Sequence, residues 1–538
     1  MPHISTLDYR KLPSYKPLFL DYLNKFDALS PFFAADPFDA AAWGDVAAKL
    51  EGKGATAGPL RKLNVSLGAD EAALASLHAL GDGALVVVSG QQVGIFGGPL
   101  YTIAKALTAV QLARLAEQRL GRRVVPLFWM DADDHDFAEV QKTSILTRGN
   151  ELLDLRYEPP RAPGRQPVGP LALAPEISAV IDKAGEALGD SEFKEDVLTS
   201  LRSSYAPGRS MADAFGAWLL RMTRGTGLAV IDPTLPELKA IGASLFAREL
   251  EEASESSAII NRTSEELVAR GYHVQASPTD GQLNLFYADP DRTAIGVSEG
   301  GMRLTPDGTT VSKKDVLKRL QDEPSQFSPN VLLRPIYQDT LFPTLAYVAG
   351  PSELAYFAQL RGLYEHFGVV MPLIASRASF TVVERAPARF LERYDVSFVE
   401  LKSNDESILN NILRQHTPPG LDEDLARARN CIEDITSALE RDLAPVDASL
   451  VPTVKSTRGK LLHHLKELES KALRAVKRKN ETVRQQFFAS RTALFPGFTF
   501  QERRLSPLGF LAKYGWHFAT MIEESVEPQS KAHTLFYP

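Results

Sequence analysis

Two short apolar runs, Ala84-Leu85-Val86-Val87-Val88 and Val124-Val125-Pro126-Leu127-Phe128-Trp129-Met130, each break abruptly into a polar or glycine-rich stretch. Between them, Ile103, Ala106, Leu107, Val110, Ala113 and Leu115 recur at helical spacing over Tyr101 to Gln118. Strand, helix and strand in so short a span make a βαβ unit, and apolar runs without polar alternation suit a parallel sheet covered on both faces. Gly227-Leu228-Ala229-Val230-Ile231-Asp232-Pro233 and the run closed by Gly350-Pro351 read as further buried strands. The prediction is a doubly wound α/β core that continues through inserted segments.

The later part of the chain follows another rule. Leu421, Leu425, Ala428, Ile432, Ile435, Leu439, Leu443, Val446 and Leu450 step by fours and threes, and Leu461, Leu465, Leu468, Ala472, Ala475, Val483 and Phe487 keep the rhythm. Narrow stripes of this kind belong to coiled coils. Pro445, Pro452 and Gly459 interrupt the middle, which favours an antiparallel hairpin over one rod, with a seam able to support dimerisation. The expected divisions are 1–145 for the first part of the core and 146–385 for its continuation with connecting insertions. Residues 386–500 form the C-terminal helical coiled coil, and 501–538 a segment returning to the core.

Composition narrows function by exclusion. With 60 Lys+Arg against 67 Asp+Glu, the chain is mildly acidic, which argues against a nucleic-acid partner. The basic run Lys471–Arg484 reads as a solvated helix face. The single cysteine, Cys431, excludes an internal disulfide and a Cys-rich metal site, and its place in the helical seam makes it a poor nucleophile. No apolar run is long enough for a membrane span, and Met1-Pro2-His3-Ile4-Ser5 has no signal-peptide character. A cytoplasmic protein without a membrane partner is expected.

Three stretches could carry chemistry. Ser89-Gly90-Gln91-Gln92-Val93-Gly94-Ile95-Phe96-Gly97-Gly98-Pro99 links the first strand to the Tyr101 helix. Its glycines would let backbone approach a ligand, the helix start would welcome an anion, and Lys105 would add a charge. The spacing matches neither the dinucleotide nor the P-loop signature. Tight strand-to-helix packing is the competing explanation for the glycines. Asp131-Ala132-Asp133-Asp134-His135-Asp136 follows the second strand, so in a parallel sheet it would open at the same carboxyl edge as the glycine loop. Asp131, Asp133, Asp134 and His135 could orient an amine, hold magnesium or act as a base, while helix capping is the structural alternative. In Asn330-Val331-Leu332-Leu333-Arg334-Pro335-Ile336-Tyr337-Gln338-Asp339, the polar Asn330, Arg334, Gln338 and Asp339 sit among apolar neighbours. Arg334 would fork onto a carboxylate, either that of Asp339 or one carried by a substrate.

Taken together, the Ser89–Thr102, Phe128–Asp136 and Asn330–Thr340 stretches resemble the cysteine-adding ligase family of bacillithiol biosynthesis, BshC. The likeness extends to Ala375-Ser376-Arg377-Ala378-Ser379-Phe380, Arg503-Arg504-Leu505-Ser506-Pro507 and Lys513-Tyr514-Gly515. It implies an α/β fold with a Rossmann-like parallel-sheet core, inserted connecting segments and a C-terminal coiled coil joining two subunits as a homodimer. It also implies condensation of L-cysteine with glucosaminyl-malate. On that basis the catalytic candidates are Asp131, Asp133, Asp134 and His135, and no resident metal is assigned. Substrate or phosphate would be bound by Gly90, Gln91, Gln92, Gly94, Gly97, Gly98, Tyr101, Lys105, Asn330, Arg334, Gln338 and Asp339. The cofactor stays open, with ATP as an activating co-substrate and magnesium accompanying it. Two other readings compete: a nucleotide-dependent acyl- or nucleotidyltransferase on another small substrate, and a non-catalytic nucleotide-binding coiled-coil assembly protein.

Overall fold

The computed structural model describes residues 3–12, 14–305, 308–415 and 420–538, and these divide into two compact units: residues 1–383 with 499–538, and residues 384–498. The first unit is built on a five-stranded sheet. Its strands are β1 (Leu85–Gln91), β2 (Val124–Met130), β3 (Ala229–Ile231), β4 (Thr344–Ala349) and β5 (Leu373–Ser376), in spatial order β5-β4-β1-β2-β3. Every neighbouring pair is parallel. Four strands are buried along their whole length and β1 along all but Gln91, which explains the missing polar alternation.

The order matters more than the count. The chain moves outward from β1 through β2 to β3, then crosses back to lay β4 and β5 on the other flank, so the β1/β4 boundary is a topological switch point. Open α/β sheets bind ligands in the crevice beyond the carboxyl ends of the strands at such a point. Helix α1 (Tyr101–Leu120) makes the β1-to-β2 crossover, and its buried residues supply two apolar clusters. Leu112, Ala113 and Ala116 pack with Leu85, Val87, Val124 and Val348, whereas Ile103, Leu107 and Val110 join Phe128, Met130 and Trp218.

The insertions hold structure that periodicity did not reveal. Helix α2 (Pro236–Ala269) follows β3, and a four-stranded antiparallel sheet is formed by Gln282–Ala288, Arg292–Ser298, Gly301–Arg303 and Phe327–Pro329. The chain then enters helix α3 (Arg334–Leu341), and helix α4 (Pro351–Phe357) follows β4. His3–Asp8, Ala532–Tyr537 and Phe380–Val382 form a third sheet, so the last strand of the chain is part of the first unit.

In the second unit, α5 (Leu421–Leu443) and α6 (Leu450–Lys479) form an antiparallel hairpin, followed by α7 (Glu481–Leu494). Arg458 bonds Thr436 and Glu440, Lys455 reaches Glu440, and Arg429 reaches Glu469, a pairing order that runs in opposite directions along the two helices. Only the Pro445 region breaks the chain. Pro452 lies in the first turn of α6, where its missing N–H is not needed, and Gly459 is absorbed within the helix. Cys431 is exposed on α5 instead of lying in the seam.

Candidate active site

At the carboxyl edge of the sheet, four strand ends converge on one cavity of about 590 Å³. The register explains the convergence. Leu85 pairs with Val124 and Gln91 with Met130, so β1 and β2 end level, and the Asp131 amide donates to the Gln91 carbonyl at 2.9 Å. Ser89 donates from its hydroxyl to the Val348 carbonyl, and the Arg377 amide donates to that of Ala349, which brings the ends of β4 and β5 alongside. Gln92 donates to Asp134, directly joining the glycine-rich loop to the acidic cluster.

The acidic cluster divides its labour. Asp136 accepts from the Glu139 amide and caps the short helix Phe137–Val140. Asp133 turns away from the cavity to Lys239 Nζ at 2.7 Å; Lys239, fully buried, also donates to the Phe327 carbonyl. Both are structural, so Asp133 leaves the catalytic set. Asp131, Asp134 and His135 remain on the cavity wall. Asp134 accepts from the amides of His135 and Asp136 as well as from Gln92. Among the described residues, no hydrogen bond reaches the Asp131 carboxylate. Burial, reinforced by the charge of Asp134, pushes its pKa up to about 6.

The glycine loop meets half of its expectation. Gly90, Gln91, Gln92, Tyr101 and Lys105 line the cavity, but Gly94, Gly97 and Gly98 do not. A Cβ at Gly97, whose φ is +85°, would meet Trp218 at 3.1 Å, and one at Gly94 would meet the Gly98 Cα at 3.2 Å. These glycines serve close packing. Their amides are also committed: Gly94 donates to the Gln92 carbonyl, Gly97 to the Tyr205 hydroxyl, Gly98 to the Ile95 carbonyl, and Leu100 to that of Leu505. A backbone cradle for phosphate is therefore not formed there. Lys105 is committed too, to Glu353 at 2.5 Å, the Gly90 carbonyl and Gln91 Oε1. Burial pushes its pKa down and Glu353 opposes that shift. Glu353 is placed by α4, where it also accepts from the Gly350 amide and the Tyr347 hydroxyl.

Arg334 has the opposite character. The residue is 8% exposed, and its guanidinium donates to Gln338 Oε1 at 3.0 Å and to the Tyr356 hydroxyl at 3.3 Å and sits over the rings of Trp129 and Tyr347. It makes no ion pair with a described carboxylate. The expected alternative of an Arg334–Asp339 pair is not what forms: Asp339 accepts from Tyr364 and Gln338, is buried, and lies off the cavity wall. Gln338 likewise supports Arg334 from behind. Asn330 reaches the cavity while its side-chain oxygen accepts from the Leu332 and Leu333 amides, holding the turn into α3.

Several wall residues were not among the candidates, although Arg377 and Arg503 lie in stretches that share the family likeness. Arg292 enters from the antiparallel sheet, donating to Ser328 and the Pro329 carbonyl and lying 3.9 Å over the Phe286 ring. Arg377, at the end of β5, is held by Glu502 through two bonds of 3.0 and 2.6 Å. Tyr356, on α4, is a cavity residue bonded to Arg334. Arg503 reaches the rim with an exposed side chain. Glu353 had a local cue, a glutamate three residues after a strand-ending glycine. For Arg292 no local cue exists.

Residues 3–378 match the family described as bacillithiol biosynthesis BshC, N-terminal Rossmann-like domain, and residues 380–538 its C-terminal coiled-coil domain. The chain is 36% identical over 533 residues to a Salinibacter ruber protein named "Putative cysteine ligase BshC", covering 97% of this chain and 96% of that one. A Koribacter versatilis protein of the same name is 34% identical, with 94% of each chain covered.

Proposed function

The chain belongs to the BshC family of bacillithiol biosynthesis, and from that premise we propose that it is a cysteine ligase. It would condense the carboxylate of L-cysteine with the amine of glucosaminyl-malate, the last step toward bacillithiol. One observation carries the reading: two opposite charges on the cavity wall, Arg334 and Asp131, each lack an ion-pair partner among the described residues. The two charges act on each other across the cavity without touching, so a ligand lying between them can supply the direct contacts, an anion at Arg334 and a cation at Asp131.

The chemistry follows from that polarity. The Arg334 guanidinium holds the cysteine carboxylate by its planar fork, and Gln338 and Tyr356 fix the orientation of the fork. The amino sugar attacks only as a neutral amine. Asp131, ionised above about 6, accepts the proton that the ammonium must lose, and holds the nitrogen against the carbonyl carbon. Joining a free carboxylate to an amine is unfavourable in water, and ATP would supply the activation by carrying away the carboxylate oxygen. The committed amides of the glycine loop do not suit its phosphates; Arg503 at the rim, with magnesium accompanying the phosphates, suits them better. The homodimer belongs to the same proposal, supported by Ile435, Leu439, Leu461 and Leu468, which remain exposed on the hairpin. A reducing cytoplasm would keep the substrate thiol free.

The test is to incubate the purified protein with glucosaminyl-malate and either cysteine or serine, with and without ATP, and follow product by mass spectrometry. Bacillithiol formed from cysteine, and only with ATP, is the expected result. No product under any condition overturns the assignment.

A further inference from the structure

His135 stands between two arginines. Arg165 Nη2 lies 2.8 Å from His135 Nε2, and Arg292 Nη1 lies 3.1 Å from His135 Nδ1. A neutral imidazole has one N–H and one acceptor nitrogen, so it can accept from only one guanidinium. The other donor faces a donor, and protonating the ring would make both contacts unfavourable. Consistently, burial together with Arg292 and Arg165 pushes the His135 pKa down, against Asp134 and Asp136. The nearest carboxylate cannot answer both arginines: Asp134 Oδ1 is 3.9 Å from Arg292 and already accepts from two amides. Arg165 makes no ion pair with a described residue. Its backbone is nonetheless anchored, the amide to Asp291 and the carbonyl to the Arg292 amide.

Arg292 Nε and Nη2 are already bonded to Ser328 and the Pro329 carbonyl, but neither Arg292 Nη1 nor the Arg165 side chain, which the ring holds apart, has a carboxylate within hydrogen-bond distance among the described residues. We propose that Arg165 and Arg292, spaced by His135, form a dicarboxylate subsite at the cavity edge, separate from Arg334. Two carboxylates on a short carbon chain would give the Arg165 fork an acceptor pair and Arg292 Nη1 an acceptor of its own, and Phe286 beneath Arg292 would face the carbon chain. This inference rests on the ligase reading, since it assigns the malate end of the amino-sugar substrate to Arg165 and Arg292 and leaves Arg334 to cysteine.

The experiment is calorimetric titration of the full chain with L-malate alone, with L-malamate, which lacks one carboxylate, and with inorganic phosphate. Wild type should bind L-malate at least tenfold more tightly than L-malamate or phosphate. Arg165→Gln, at an exposed side chain that the fold does not need, should weaken L-malate about tenfold, and Arg165→Lys by less. Equal L-malate affinity in wild type and Arg165→Gln would overturn the subsite, as would a preference for phosphate. Because binding is read without turnover, failure here is distinguishable from failure of the ligase assignment, which would appear as absent product in wild type.

Discussion

Two buried arginines on the same cavity differ in what surrounds them. Arg377 is 4% exposed and meets Glu502, itself fully buried, through two short bonds; Arg334 is almost as buried and meets only an amide oxygen and a phenol. The Arg377 side is saturated by the protein, and the Arg334 side is left incomplete. Although burial opposes its charge, Arg377 and the Phe380 amide hold the Glu502 carboxyl down at about 2. Asp131, without such donors, is pushed the other way, to about 6. A saturated pair contributes to the fold, whereas an incomplete one keeps its interaction for a ligand.

The sharpest way to break this contrast is to remove one partner on each side. Arg377→Met leaves Glu502 buried without its cation and should cost about 3–5 kcal/mol of stability, read from urea midpoints. A loss below about 1 kcal/mol would place Arg377 with Arg334 instead. Asp131→Asn should lower kcat by roughly 10²–10⁴ while leaving the urea midpoint near wild type. It should also abolish the rise in rate through pH about 6 that an ionising base predicts. Arg334→Gln should raise the KM for cysteine about 10–100-fold, the value of a charge-assisted bond pair, without destabilising the chain.

Acid titration sharpens the same comparison through its sign. The Glu502 pKa is depressed from 4.5 to about 2 and that of buried His533 from 6.5 to about 4. Groups with depressed values contribute stability above their unfolded pKa and lose it as pH falls through the folded one. Stability should therefore decline from about pH 6.5 downward, first through His533 and then, below about 4.5, through Glu502. Glu502→Gln should flatten the lower limb only. Asp131 has the opposite sign: its raised value weakens the unliganded fold slightly as pH rises through about 6. The smallest effect concerns the second unit. Leu439→Lys with Leu468→Lys, both at exposed positions, should shift sedimentation from dimer to monomer while changing the unfolding midpoint by less than the equivalent of about 0.5 kcal/mol.

Much of this was written locally. Apolar runs without alternation predicted parallel buried strands, because a strand covered on both faces cannot afford polar positions. The four-three rhythm predicted the hairpin, since its seam needs only neighbours one turn apart along the same helix. The parallel relation of β1 and β2 then placed Gln92 and Asp134 at one edge, where they bond. Local pattern failed where one residue type had two uses. Asp133 and Asp131 are chemically identical and two positions apart, yet Lys239 takes one and the cavity the other. Gly94, Gly97 and Gly98 read as ligand-facing when Trp218 and the loop itself required their small size.

The sequence by itself determined four of the five sheet strands, the crossover, the hairpin and the edge at which polar groups collect, since each depends on periodicity or on short-range connection. Only the tertiary structure decided which charges are neutralised by the protein and which face the cavity. Glu353 meets Lys105 and Glu502 meets Arg377 across chain separations that no spacing encodes, and Arg165 and Arg292 meet His135 from an inserted segment. Pairing of charge is a property of three-dimensional neighbours, and so is the surplus left for a substrate.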